Sequence, residues 1–185
     1  MTRRRFVFDP PDRFVAGTIG MPGQRTFVLQ AREGRRIVSV SLEKAQVAVL
    51  ADRLGQLLED LAEVGAADSA DAPAVQDTGP LDEPLNEAFR AGALTLGWDA
   101  GAERILIEAR ADTGEADEAM AAMLDDEDED GPDLLRVRLT ADAARAFVDR
   151  AVHVVNAGRP PCPLCGRPLD PQGHICPRGN GHYVH

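Results

Sequence analysis

Residues 38–58, VSVSLEKAQVAVLADRLGQLL, contain both kinds of secondary structure that this chain uses. From Val38 to Leu42 apolar and polar residues alternate, which is typical of a β-strand with one buried face. From Val47 onward the apolar residues are spaced by three and four positions, which predicts an amphipathic α-helix. Ser41 is available to cap that helix. The stretch therefore predicts a strand followed directly by a helix.

The same pattern recurs at residues 135–155, LRVRLTADAARAFVDRAVHVV, at a constant offset of 97 positions. The Asp-Arg dipeptide at 52–53 falls on the same dipeptide at 149–150, and residues 14–32 resemble residues 89–110. These matches predict an internal duplication of a β-β-β-α unit. We therefore expect an α+β fold with pseudo-two-fold symmetry, a mainly antiparallel sheet and both helices on one side.

The paired strands of each unit can be placed from their β-branched and alternating residues. They are predicted at residues 27–32 and 36–42 in the first unit, and at residues 105–109 and 135–139 in the second. Thr140 is expected to cap the second helix.

The net charge of −11 is distributed unevenly along the chain. Residues 60–88 contain eight carboxylates and residues 111–133 contain eleven, without a Lys or Arg in either stretch. The rest of the chain has twelve acidic residues against twenty basic ones, which is an excess of eight positive charges. In the repeat alignment, residues 111–133 replace the two-residue turn at 33–34, which predicts an acidic insertion at a hairpin tip.

These features predict a domain organisation of two units and a tail. The first unit covers 1–64, a linker rich in Ala, Asp and Pro covers 65–84, the second unit covers 85–158 with its insertion at 111–133, and the tail covers 159–185. We expect the linker and the insertion to be disordered, because neither has enough apolar residues to offset the entropy of ordering.

The tail contains the most specific motif of the chain, CPLCGRPLDPQGHICPRGNGH at residues 162–182. Zinc prefers four tetrahedral N or S ligands, and two cysteines separated by two residues can reach one ion from a single turn. The predicted ligands are Cys162, Cys165, Cys176 and, as the fourth, His174, with His182 as the alternative. His174 is favoured because it adjoins the second knuckle, whereas His182 is near the terminus.

Two other uses of these cysteines fit the sequence less well. A redox Cys-x-x-Cys pair needs its first thiol at a helix N-terminus, and Gly166-Arg167-Pro168 blocks a helix here. A disulfide scaffold would leave one of three cysteines unpaired. We therefore expect a structural Zn²⁺ in a closed site that holds the tail together.

The compartment follows from the absence of membrane signals in this sequence. No apolar run approaches the roughly 18 residues of a membrane span. The opening MTRRR is followed by FVFDPP rather than by an apolar segment, so it does not resemble a signal peptide. We expect a cytoplasmic protein without a membrane partner.

Arginines are the candidate anion-binding residues of the basic part of the chain. Arg35, Arg36, Arg136 and Arg138 flank or lie in the equivalent strand of each unit, and residues 3–5 form a basic arm that we expect to be flexible. Guanidinium groups suit bidentate contacts with phosphate or carboxylate. This pattern keeps nucleic-acid binding, through the arginine face and the zinc tail, as an alternative function.

Enzyme motifs are scarce in this sequence, which contains neither a Gly-x-Ser-x-Gly elbow nor a Walker loop. Asp149 and His153 are four residues apart and could pair on one helix turn. An enzyme acting on an anionic or phosphorylated substrate between the two units is therefore a second alternative, and we assign no catalytic residue.

The acidic insertion predicts a measurable effect on anion binding. If it competes for the basic face, deleting residues 112–131 is expected to increase salt-sensitive binding to polyanions. Binding measured at several salt concentrations checks this, and unchanged binding after the deletion would disprove the competition.

The chain resembles a bacterial family of about this length whose members have no assigned activity. The resemblance rests on FVFDPPDRFVAGTIG at residues 6–20, on RTFVLQ at 25–30 and on the terminal CPLCG and GHICPRGNG segments. It implies a zinc-ribbon-like tail in which Cys162, Cys165, His174 and Cys176 occupy the metal positions, and it implies a regulatory accessory role. The leading interpretation is a non-enzymatic adapter that binds a protein partner.

Overall fold

The computed structural model describes residues 3–21, 24–67, 76–114, 131–157, 162–165 and 176. The strands are β1 (Arg5–Phe8), β2 (Arg13–Ile19), β3 (Thr26–Glu33), β4 (Arg36–Leu42), β5 (Glu87–Asp99), β6 (Arg104–Ala111) and β7 (Leu134–Leu139), and the helices are α1 (Lys44–Glu63) and α2 (Ala141–Asn156). The predicted α+β class is confirmed.

The seven strands form one sheet in the order β1-β7-β6-β5-β4-β3-β2. Of the six pairings between the described strands, β1–β7 and β4–β5 are parallel and the other four are antiparallel. The last strand of the first unit, β4, pairs in parallel with the first strand of the second, β5. The strands of the two units therefore follow one another in the same order and direction, and the predicted pseudo-two-fold symmetry stays a prediction.

The sheet must curl strongly, because its two edge strands are neighbours in sequence. A flat seven-stranded sheet would separate β1 from β2 by about 29 Å, at roughly 4.8 Å per strand. The chain from Phe8 to Arg13 can span at most about 17 Å. Arginines reach into the region where the edges approach: Arg36 donates to the Val7 carbonyl at 3.0 Å, and Arg150 donates to the Ala16 carbonyl at 2.7 Å.

Both helices pack on the same face of the sheet and share one hydrophobic core. Leu54 of α1 is fully buried in this core. From α2, Phe147 stacks on Phe14 of β2, with ring centroids 4.8 Å apart. The prediction of two helices on one side agrees with this packing.

Of the two predicted helix caps, one is confirmed and the other is wrong. Thr140 caps α2 as predicted, since its hydroxyl accepts from the Ala143 N–H at 3.2 Å. Ser41 does not cap α1, because it is buried in β4. The N-cap of α1 is Glu43, whose N–H donates to the Gln46 side chain at 2.8 Å.

The predicted flexible arm at residues 3–5 is fixed to the sheet. Arg5 begins β1, which pairs in parallel with β7. The Arg4 guanidinium and backbone N–H both donate to the Asp133 carboxylate, at distances between 2.5 and 2.8 Å. The prediction failed because this pairing partner is more than 120 residues away in sequence and leaves no local pattern.

Residues 76–84, the described end of the predicted linker, are fastened to the outer face of the sheet, which is the face opposite the helices. The buried Gln30 side chain donates to the Asp82 carbonyl at 2.9 Å and accepts from the Asp82 N–H at 2.7 Å. Leu81 lies against Gly17, where an added Cβ would come within 2.6 Å of it. Disorder is therefore wrong for these residues, whereas 68–75 and 115–130 lie outside the described residues.

Candidate metal centre and surrounding sites

The three cysteines converge on one point although the third is eleven residues beyond the second. Their sulfur atoms all lie within 4.8 Å of one another. The Cys162 and Cys176 sulfurs are 3.9 Å apart. Two sulfurs bound to one tetrahedral zinc at about 2.3 Å would be roughly 3.8 Å apart, so this spacing fits a shared ion.

The local backbone favours the deprotonated, thiolate form of Cys162. Residues 163–165 form a turn directly after it. The backbone N–H groups of Cys165 and Leu164 point at the Cys162 sulfur and lower the pKa of its thiol below the ordinary value. Because metal ligands must be deprotonated, a lowered thiol pKa favours metal binding at neutral pH.

A disulfide does not explain this cluster. None of the three described cysteines forms a disulfide, which would require sulfurs about 2.05 Å apart. Three convergent cysteine sulfurs are a soft donor set that could hold a metal ion. Both candidates for the fourth ligand, His174 and His182, lie outside the described residues, so they stay predictions.

The four predicted anion-binding arginines are only partly brought together. Arg36 lies over the Phe8 ring of β1, 4.5 Å from its centroid. Arg136 and Arg138 both lie on β7, which pairs with β1, so these three surround that strand. Arg35 lies in the exposed turn between β3 and β4.

Two of these arginines are occupied by carboxylates. Arg136 donates to Glu108 at 2.5 Å, and Arg138 donates to Asp9 at 2.9 Å. They therefore do not present a continuous row of unpaired cations for a nucleic-acid backbone.

Asp149 and His153 line an open pocket of about 520 Å³ between α2 and residues 76–78. Arg150 also lines this pocket, and its guanidinium donates to the Asp77 carboxylate at 2.8 Å. The predicted cleft between the two units is not where this pocket lies. The units meet through the β4–β5 and β1–β7 pairings and through the packing of α1 against α2, and grooves open between α1 and α2 and between α1 and β5.

A family model described as "Protein of unknown function (DUF3090)" matches residues 6–176, which includes the three cysteines. The chain belongs to the DUF3090 family. The resemblance predicted from the opening segment and the tail is thereby confirmed. Comparison with curated proteins and with solved structures finds no match for this family member. Neither helix in the described part of the chain is long and apolar enough to cross a membrane.

Sequence reasoning missed two charged clusters of this DUF3090 protein. One joins Arg13 and Arg150 to Asp77, and the other joins Glu108 to Arg110 and Arg136. The second cluster had a sequence signal, because Glu108 and Arg110 interrupt the apolar strand ILIEAR. The first had none, since its members are at least 64 residues apart.

Proposed function

We propose that this protein is a non-enzymatic adapter whose C-terminal tail is held by a structural Zn²⁺. The observation that carries the metal assignment is the convergence of three sulfurs to within 4.8 Å of one another. The proposed ligands are Cys162, Cys165, Cys176 and one histidine, His174 in preference to His182. Four protein ligands close the coordination sphere and leave no position for a reactive water, so the ion stabilises the tail rather than catalysing a reaction.

A groove between the two helices supports a protein partner. It has a volume of about 470 Å³ and is lined by small and apolar residues of both helices together with four polar ones, Asp52, Gln56, Glu59 and Asn156. Val152 of α2 lines this groove and is 46% exposed. Exposed apolar side chains beside a groove are typical of surfaces that bind another protein.

The metal assignment is tested on the purified protein under reducing conditions. Elemental analysis is expected to find one zinc per chain, retained through gel filtration. Purified protein without stoichiometric metal, and unable to take up added Zn²⁺, would contradict the proposal.

The adapter role is tested by affinity capture from native lysate, with and without nuclease. A protein that stays bound after nuclease and is lost with Val152→Glu would support the adapter. Val64→Glu is the matched control, because Val64 is exposed and lies just beyond α1, away from the groove. Loss of all bound material on nuclease treatment would instead favour the nucleic-acid alternative.

We also infer that the two β-β-β-α units arose by duplication. What supports this is that residues 38–58 and 135–155, which align without a gap, both fold as a strand followed by a helix. The shared order and direction of the units in the sheet fits head-to-tail repetition along the strands' hydrogen-bonding direction.

A further inference from the structure

Arg110 is a buried guanidinium whose hydrogen-bonding capacity is only partly used. It lies on β6 and is 4% exposed. Its Nη2 donates to Glu108 at 3.1 Å. Its Nε and Nη1 atoms are buried and have no hydrogen-bond partner within the described part of the protein. Burying a charged donor without an acceptor is costly, so such groups are normally satisfied by protein, water or a ligand.

Arg13 shows how the same chain satisfies another arginine with little exposure. Its Nε, Nη1 and Nη2 atoms all donate, and their acceptors include the carboxylates of both Asp77 and Asp82. Arg110, in contrast, has to share the single carboxylate of Glu108 with Arg136. Glu108 accepts only from Nη2 of Arg110, which leaves Nε and Nη1 of this guanidinium unfilled within the described part of the protein.

The strand register adds a third arginine and shows where the cluster opens. Arg110 of β6 and Arg5 of β1 both pair with Leu134 of β7. Two residues further along β7, Arg136 pairs with Glu108 of β6 on one side and with Val7 of β1 on the other. Register partners point to the same face of a sheet, so all three arginines share the outer face. Arg136 and Val7 are more exposed than Arg110, with 19% of the Arg136 side chain accessible. The cluster is therefore approached beside Arg136, and Arg110 lies deeper.

We propose that Arg5, Arg110 and Arg136 form a binding site for a phosphate dianion, either free phosphate or the phosphate monoester of a small molecule. Guanidinium N–H groups bind phosphate oxygens through charge-assisted hydrogen bonds. The anion supplies the acceptors that Nε and Nη1 of Arg110 lack, and Glu108 holds two of the arginines in place. The backbone of a nucleic acid lying on the surface does not reach a side chain as buried as Arg110. This site shares no residue with the cysteine cluster and does not depend on zinc.

The test measures binding of inorganic phosphate and of phenyl phosphate, with chloride at matched ionic strength as the reference. Thermal unfolding and calorimetric titration are expected to show saturable binding to the full-length protein. Arg110→Gln is expected to weaken it at least about tenfold, because hydrogen bonds from a charged donor are lost. Arg104→Gln is the matched control, since Arg104 lies on the same strand and donates to the Ala102 and Glu103 carbonyls rather than to the Glu108 cluster. Tighter binding of phenyl phosphate identifies a monoester as the ligand, and equal binding identifies free phosphate.

Each variant is compared with itself in chloride, so a change in its basal stability does not imitate a change in binding. Arg136→Lys is a second variant that keeps the charge and loses the planar fork, and we expect weaker phosphate binding from it as well. Wild-type protein whose unfolding temperature and titration heats do not respond to phosphate would overturn the proposal. So would Arg110→Gln and Arg136→Lys variants that bind phosphate as well as Arg104→Gln does, or an oligonucleotide that binds more tightly than both small anions.

Discussion

Replacing Cys162 with serine is expected to abolish stoichiometric zinc binding while the sheet stays folded. A serine hydroxyl remains protonated at neutral pH and cannot replace a thiolate ligand. Loss of an outer-shell partner alone weakens metal sites by about 10–100-fold, so loss of this ligand should cost more than 100-fold in affinity. Cys162 lies outside the hydrophobic core cluster, so the far-ultraviolet circular dichroism spectrum is expected to keep its native shape. Competition against a chromophoric zinc chelator measures the affinity.

Leu164→Ser is the matched control for this variant. Leu164 lies between the first two cysteines and is exposed, so the substitution introduces the same residue into the same turn without removing a ligand. It is expected to bind zinc within a few-fold of wild type. Equal zinc affinities of Cys162→Ser and Leu164→Ser would show that the sulfur cluster is not the metal site.

The local elements of the fold were predictable because each leaves a periodic pattern. The strand at 36–42 and the helix that follows it were both found from residues 38–58. The order of the strands was not predictable, because it depends on which edges meet in space. The pairing of β4 with β5, and of β1 with β7, joins segments that share no sequence pattern. Sequence similarity between the units therefore predicted the local elements of each unit but not the order in which their strands pair.

The two candidate sites differ in the same way, because one leaves a local sequence pattern and the other does not. Cys162 and Cys165 are close in sequence, and their spacing alone predicts a shared metal ion. Arg110 could not be recognised as an anion ligand from sequence, because its significance lies in two buried nitrogen atoms without acceptors. The attachment of residues 76–84 could not be predicted from sequence either. Their composition is that of a disordered linker, yet the carboxylates of Asp77 and Asp82 pair with arginines of the folded units.

Asp77 is the centre of that attachment and is expected to contribute strongly to stability. Its carboxylate accepts from Arg13 at 2.6 and 2.8 Å and from Arg150 at 2.8 Å. Both arginine side chains are largely buried, with 13% and 9% of their surfaces exposed. Removing the carboxylate would leave two guanidiniums with one acceptor group fewer. The free energy of unfolding of Asp77→Ala is expected to fall by about 3 kcal/mol, since breaking a buried pair from one side is strongly destabilising.

For a domain of this size, such a loss corresponds to a decrease of roughly 6–12 °C in the unfolding temperature. Asp52→Ala is the control, because Asp52 is exposed on α1 and its carboxylate accepts a long bond from Gln56 at 3.4 Å. It should change stability by no more than about 0.5 kcal/mol. Similar unfolding temperatures for the two variants would show that the segment at 76–84 is not held by its charges.

The stability difference between wild type and Asp77→Ala is also expected to depend on pH in one direction. The hydrogen bond from Arg13 is the largest cause that lowers the pKa of Asp77 in the folded protein, whereas an unfolded aspartate titrates near about 3.9. The unfolded chain therefore takes up this proton first as the pH falls. The contribution of Asp77 is fully present above about pH 4 and is lost as the pH falls through the folded pKa. Chemical denaturation at pH 7 and at several values below pH 4 should show the difference shrinking in acid. A difference that stays constant or grows would mean that the carboxylate charge is not what stabilises this attachment.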